Sequence, residues 1–395
     1  MSDPGEAMTG KEMARPLGKG ERFYWLFDRV SCTNFVVVAE FEELPPREPL
    51  IRALDTARQR HPLLGVRIAV DGSGTARYEP APPASISVPI IPGGEEGWRA
   101  EILAQLDQRF PDEAFPLLRC QAFPATTEDG LSAIVFTFHH GITDAGAAAR
   151  LVEEVLTDAL LGLPVDDSAF PPRPPQEALY DNPFRGLGGL LRRLWYALTD
   201  ALDRRKKGAP RALPAPAPSG ARSLHNEQIH LRREQTVTLA HRCRKQKTTV
   251  HGAIGAAQLM ALSEVLHGGE AGTEILGSAI GMRERLSPPV TDRELGMFIS
   301  MVHTRHSIPE DAKPWALARD VKAELETRVT RGDAHLLWST FPPDSQFPPN
   351  AEGAQRLAKL IAMQPLPSIL TNIGKVGPDA GTGPIKALHF AMAPQ

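Results

Sequence analysis

Apolar and polar positions along the chain follow two rhythms. Runs of β-branched and aromatic residues predict buried strands at FVVVAEF (35–41), LLGVRIAV (63–70) and LSAIVFTF (131–138), with a weaker run at 116–123. Between them, apolar residues recur every three or four positions. Residues 48–60 place Leu50, Leu54, Ala57 and the stem of Arg58 on one helical face; His61-Pro62 ends that helix because a residue before proline avoids helical geometry. A second helix is predicted over 96–109. From Asp144 onward, AGAAARLVEEVLTDALLG sets Leu151, Val152, Val155, Leu156 and Ala159 on one stripe, which predicts a helix packed on a sheet and N-capped by Thr143 or Asp144. The second half opens with a strand predicted around 226–231 and a helix over 234–246. A longer helix follows, starting at Thr248 or Thr249, carrying a small-residue face and ending at Gly268-Gly269.

Proline breaks this alternation from Phe170 onward. PPRPPQ at 171–176 and APRALPAPAPSGAR at 209–222 cannot lie inside packed elements. A chain of 395 residues also exceeds the size at which one core stops growing. The division expected is an N-terminal lobe over 1–170, a Pro-rich crossover over 171–222, and a C-terminal lobe over 223–395. Inside the crossover, FRGLGGLLRRLWYALTDALDRRKK (184–207) repeats Leu187, Leu190, Leu191, Leu194, Trp195, Leu198 and Leu202 at helical spacing. Arg185, Arg192, Arg193, Arg204, Arg205, Lys206 and Lys207 outnumber Asp200 and Asp203 by five, in a chain of net charge -3. The simple expectation docks the stripe on the body and solvates the charges. The functional one places the helix at the substrate entrance, against an acidic carrier protein or a membrane.

Composition adds exclusions. With 42% apolar and 23% charged residues the chain is ordinary globular protein, and no apolar run reaches the roughly 18 to 20 residues of a membrane-spanning helix. MSDPGEAMTGKEMARPLGKG mixes acids, Gly and Pro where a secretory signal needs an apolar stretch, so a cytoplasmic location is expected. Cys32, Cys120 and Cys243 are too far apart for a close zinc or redox pair. The charge balance and the lack of a basic, aromatic motif argue against nucleic acid as a partner.

The strand at 131–138 runs straight into FTFHHGITDAGAAARL. Adjacent residues at a strand end face opposite ways, so only one of His139 and His140 presents its ring to a given cavity. That geometry argues against a shared metal ion and against a metal-dependent hydrolase. A histidine of ordinary pKa near 6.5 can take a proton from an attacking hydroxyl and return it to a departing thiolate, the two transfers an acyl transfer needs. The sequence has no Gly-x-Ser-x-Gly elbow and no cysteine beside the pair, so no enzyme nucleophile is called for.

The segment resembles the His-His-x-x-x-Asp-Gly motif of the condensation-domain and chloramphenicol-acetyltransferase-like superfamily, which includes free-standing alcohol acyltransferases and polyketide-associated acyltransferases. QRHPLL (59–64), KTTVHGAIGAAQLMAL (247–262), GMRERLSPPVTDRELGMFISMVHTR (281–305) and LTNIGKVG (370–377) resemble further family segments in the same order. The resemblance implies an α/β (α+β) two-lobed fold, each lobe a mixed sheet with flanking helices, and an active site in a channel at the lobe interface. It implies His140 as general base, His139 as support for the loop, and Asp144 as a structural partner of an arginine from the other half, Arg283 first and Arg285 second. Ser300, Thr371, Asn372 and Gly374 fall on the implied substrate channel. The activity implied is transfer of an acyl group from a thioester to a hydroxyl, forming an ester without a covalent acyl-enzyme. Amide formation and a non-catalytic, carrier-binding domain are the alternatives. Acyl-coenzyme A or an acyl-pantetheinyl carrier protein is then the co-substrate, with no cofactor beyond it and no metal. The implied partners are this donor, a small-molecule hydroxyl or amine acceptor, and an acyl or peptidyl carrier protein. Ala145 stands where the motif has its glycine, with Gly146 one place later, which predicts a rearranged turn. Relatives continue with further strands after the position of KALHFAMAPQ, so a trimmed end or a wall completed by a partner is expected.

Overall fold

The apolar runs of the first half form the centre of a four-stranded sheet in the computed structural model, which describes residues 13–82, 84–162, 168–181, 184, 186–211, 224–343, 345–363, 368–376 and 385–392. In chain order the first half gives β1 (Arg15–Pro16), α1 (Lys19–Phe27), β2 (Phe35–Phe41), α2 (Arg47–Arg60), β3 (Val66–Val70), β4 (Ala76–Pro80), α3 (Gly94–Asp107), β5 (Leu118–Phe123), β6 (Ser132–Phe138) and α4 (Ala145–Leu161). The second half gives α5 (Gly186–Lys207), α6 (Arg233–Lys245), α7 (Val250–His267), β7 (Gly272–Gly281), β8 (Ile299–Ile308), α8 (Pro314–Arg331), α9 (Leu336–Thr340), α10 (Ala351–Ala362), β9 (Ser368–Leu370) and β10 (Ala387–Met392).

The main sheet has the order β10-β2-β6-β5, with β2 antiparallel to β6 and Val37 opposite Phe136. Every residue of β6 is buried because helices cover both faces. Trp98 and Ile102 of α3 pack on Val36, Val38 and Val135. On the other side, Leu54 of α2 and Leu151 and Val155 of α4 join Val37 and Phe136. A strand between two helical layers reads as a continuous apolar run, which accounts for the missing alternation in LSAIVFTF. A small sheet, β1-β4-β3, flanks this core.

The second main sheet has the order β8-β7-β9, and α7 and α8 close its core through Leu259, Leu276, Leu317 and Val321. The small face predicted for α7 lets it approach closely: a Cβ on Gly255 would lie 2.8 Å from the Leu276 side chain. The architecture is thus mixed α/β, with one main sheet built largely from each half of the chain.

Three expectations are corrected. Residues 226–231 form no strand; they are exposed, and no neighbouring strand pairs with their backbone groups. The end of the chain does not stay with the second half. β10 runs antiparallel along β2, from Ala387 opposite Glu40 to Met392 opposite Phe35, and α10 buries Ala354 and Leu357 in the first core. The third concerns α5, whose apolar stripe faces solvent, with Leu187 79% and Trp195 57% exposed. Its polar face docks instead: Asp200 pairs with Arg305 at 2.5 Å, Asp203 with Arg328, and Lys207 with Glu324 at 2.7 Å. Arg305 and Arg328 are buried, and leaving buried cations unpaired is more costly than exposing leucines. Arg185 and residues 212–222 of the proline-rich stretch lie outside the described residues.

Candidate active site

β6 delivers the two histidines at its end, and their rings part as strand geometry requires. His139 is 2% exposed, and its Nδ1 accepts from the Gly141 N–H at 3.0 Å. Its ring meets the edge of Phe110 and borders a small space lined by Trp25, Asp28 and Arg109. Gly141 is needed here because a Cβ would sit 2.9 Å from His139 Nδ1. The turn is also fixed from below, where the buried Tyr78 hydroxyl donates to the Gly141 carbonyl at 2.7 Å. Burial holds His139 below the usual imidazole range.

His140 turns to the other side. Its ring stacks on Tyr24 of α1 with centroids 4.0 Å apart and meets Phe35 of β2 edge-on at 5.1 Å. It is 4% exposed, and its Nδ1 is buried without a well-formed hydrogen bond. Burial pushes its pKa down to about 4, against the opposing pull of the His140 and Thr143 carbonyls and the Asp144 carboxylate. At neutral pH the ring is therefore unprotonated.

Asp144 joins the two halves. Its Oδ1 accepts from the Ala147 N–H at 3.1 Å and N-caps α4, while its Oδ2 accepts from Arg283 Nη2 at 2.7 Å. Arg283 is held in turn by the carbonyls of Thr291 and Glu294, at 2.6 and 2.8 Å, and lies over the Phe298 ring. Arg285 instead donates to the Gly281 carbonyl at 2.9 Å, so the choice between the two arginines falls on Arg283. Ala145 is the first residue of α4, and neither it nor Gly146 takes a left-handed conformation, so the position makes no demand for glycine.

None of the remaining expected residues makes a described hydrogen bond, ion pair or ring contact with His140. Ser300 sits in β8 opposite Ile280, 2% exposed, with its hydroxyl unpartnered. Thr371, Asn372 and Gly374 are exposed beyond the end of β9, where Asn372 Oδ1 accepts from the Gly374 N–H at 2.9 Å in a turn that gives Gly374 a φ of +75°. None of the described hydrogen bonds, ion pairs or ring contacts joins these three residues to the His139–Asp144 segment.

Sequence reasoning missed the cover over His140. Tyr24, Met297 and Trp338 form one buried cluster, and Trp338 Nε1 donates to the Ile299 carbonyl at 2.7 Å. The approach is close enough that a Cβ on Gly20 would overlap the Met297 side chain. Burial and the charge of Asp144 hold the Tyr24 hydroxyl above the usual phenol range. The available signal was the aromatic run FYWLF within ERFYWLF, denser than a surface helix requires. The site thus offers a neutral imidazole with a free nitrogen and a loop fixed from both halves. No thiol is poised beside it: Cys32 is pushed up to about 11 by burial, and Cys120 is driven higher.

Residues 220–382 match the family described as phthiocerol/phthiodiolone dimycocerosyl transferase C-terminus. Among solved structures, the chain is similar to polyketide synthase associated protein 5 from Mycobacterium tuberculosis, with 16% identity and a TM-score of 0.64 over 95% of this chain and 86% of that one. It is also similar to the first condensation domain of the calcium-dependent antibiotic synthetase, with 15% identity and a TM-score of 0.66 over 97% and 86%. A cyclization-docking bidomain from Sorangium cellulosum aligns at 18% identity and a TM-score of 0.63, over 93% of this chain and 72% of that one. No curated protein matches.

Proposed function

We propose that this chain, which has the two-lobed fold of the condensation-domain and chloramphenicol-acetyltransferase-like superfamily, is an acyltransferase that moves an acyl group from a thioester to a hydroxyl. The observation that carries the reading is the Asp144–Arg283 pair, which ties the helix after the histidines to the second half and so sets the loop bearing His140. In the reaction, a neutral His140 takes the proton of the acceptor hydroxyl as the oxygen attacks the thioester carbonyl. The tetrahedral adduct collapses, the C–S bond breaks, and the thiolate leaves with the proton from His140. No covalent acyl-enzyme is formed. The donor is acyl-coenzyme A or an acyl-pantetheinyl carrier protein, and the same base serves an amine acceptor.

A second reading has its own support. Tyr24 stacks on the His140 ring, and His140 is only 4% exposed, so turnover requires a path for substrate to its nitrogens. A non-catalytic domain that binds a carrier protein has no such requirement. To separate the readings, the purified chain is incubated with acyl thioesters of several lengths and alcohol acceptors, and products are identified by mass spectrometry. Ester formation supports the first reading. Thiol release without ester makes the chain a hydrolase, and binding of a carrier protein with no thiol release makes it a binding domain.

A further inference from the structure

We propose that α5 is a membrane-surface helix whose leucine and tryptophan ridge enters the headgroup boundary of a bilayer containing anionic lipid. Leu187, Leu191, Leu194, Trp195, Leu198 and Leu202 are 52 to 79% exposed along one side of the helix. At 1.5 Å per residue the ridge from Leu187 to Leu202 runs for about 23 Å along the 22-residue helix. The opposite side is fastened by the Asp200–Arg305, Asp203–Arg328 and Lys207–Glu324 pairs and by Arg192, which donates to the Arg331 carbonyl. The ridge therefore cannot turn inward without breaking several ion pairs.

Charge selects the occupant. Both carboxylates of the helix, Asp200 and Asp203, are used on the fastened side. Arg205 and Lys206 remain exposed away from these contacts, and Arg204, also exposed, pairs with Asp200 at 3.0 Å. An apolar face, an exposed tryptophan and flanking cations are what a helix lying in the plane of an anionic membrane requires. An acidic partner protein would satisfy the cations but leave a convex leucine ridge in water, whereas a bilayer covers both. No described helix is long and apolar enough to cross a membrane, so the contact is in-plane. Tyr196, on the fastened side, lines a cavity of about 90 Å³ with Met301, His303 and Leu337, which places the lipid-facing helix beside α9. The proposal rests on α5 alone and stands apart from the acyl-transfer reading.

The test uses the full chain and sedimentation with vesicles of phosphatidylcholine, alone or with phosphatidylglycerol added. The chain is expected to bind the mixed vesicles, and more weakly as salt rises. Replacing Leu191, Leu194 and Leu198 together by serine should abolish that binding. Arg204→Glu, Arg205→Glu and Lys206→Glu combined should weaken it at least ~10-fold. All six positions are exposed, so an unchanged melting temperature checks that the variants are folded. The proposal is overturned if the wild-type chain ignores anionic vesicles, if the serine variant binds them as well as wild type, or if an acidic carrier protein binds α5 while vesicles do not.

Discussion

α4 and α5 carry the same kind of stripe and wear it in opposite directions. In α4, Leu151, Val152, Val155 and Leu156 are buried against the main sheet, and Asp144 caps the first turn. In α5, leucines at the same spacing face solvent, and two aspartates make the contact with the body. The surfaces opposite differ. α4 meets β2 and β6, apolar on the face it covers. α5 meets β8 and α8, where Arg305 and Arg328 are buried and need anions. Periodicity shows that a helix has two faces; the neighbour decides which one is buried.

The sharpest test of this contrast lies at the start of α4. His140→Ala should lower transfer ~10² to 10⁴-fold while the protein keeps its fold, because a positioned base contributes about that much. Leu191→Ser on the α5 ridge should leave transfer between small soluble substrates unchanged. If steady-state assays with chemistry rate-limiting show His140→Ala near wild type, the base is another group.

Next in size is the tie that aligns the α4 terminus. Asp144 and Arg283 have side chains 6% and 13% exposed, so Asp144→Ala leaves a largely enclosed cation without its carboxylate and removes the α4 cap, and is expected to destabilise by about 3 kcal/mol. Chemical denaturation reads this directly. Unchanged stability with lost activity would make the carboxylate a participant in the chemistry.

The two stripes can then be compared residue for residue. Leu156→Ala in α4 removes a fully buried side chain and should cost about 2 to 5 kcal/mol, whereas Leu194→Ala in α5 should stay within about 0.5 kcal/mol. Equal losses at the two sites would show that α5 buries its ridge in solution.

The smallest expected effect is the share of the pH dependence that His140 contributes on the α4 side. The folded pKa of His140 is about 4, below the ordinary value near 6.5. Above pH 6.5 the ring is neutral in both states and has no effect on the balance. As pH falls from about 6.5 toward 4, the unfolded chain takes up a proton that the folded chain refuses, and stability drops by up to about 3 kcal/mol. Denaturation curves across this window should be steeper in pH for wild type than for His140→Ala. Parallel losses in the two proteins would remove His140 as the cause.

Much of the machinery was legible because it is local. The end of β6, the turn at Gly141, the Asp144 cap and the start of α4 are consecutive in sequence, and each obeys a short-range rule of strand alternation, turn geometry or capping. Arg283 was reachable only through resemblance, since 139 positions separate it from Asp144. Tyr24 and Trp338 were not found at all. Each looks like ordinary apolar content in its own segment, and their role arises only where α1, β6 and α9 meet. The strand predicted at 226–231 failed for the converse reason, since a segment without a partner has no ladder to join.

By itself, the sequence determined what is dictated within a few residues: where α2, α4, β2 and β6 lie, that His139 and His140 face apart, and that Thr143 or Asp144 caps α4. Tertiary structure alone decided that β10 returns to β2, that Arg283 rather than Arg285 meets Asp144, that Tyr24 stacks on His140, and that α5 turns its leucines outward. Each of these depends on which surface arrives opposite. Burial, ion pairing and the depressed pKa of His140 are properties of two surfaces in contact, and neither segment carries them alone.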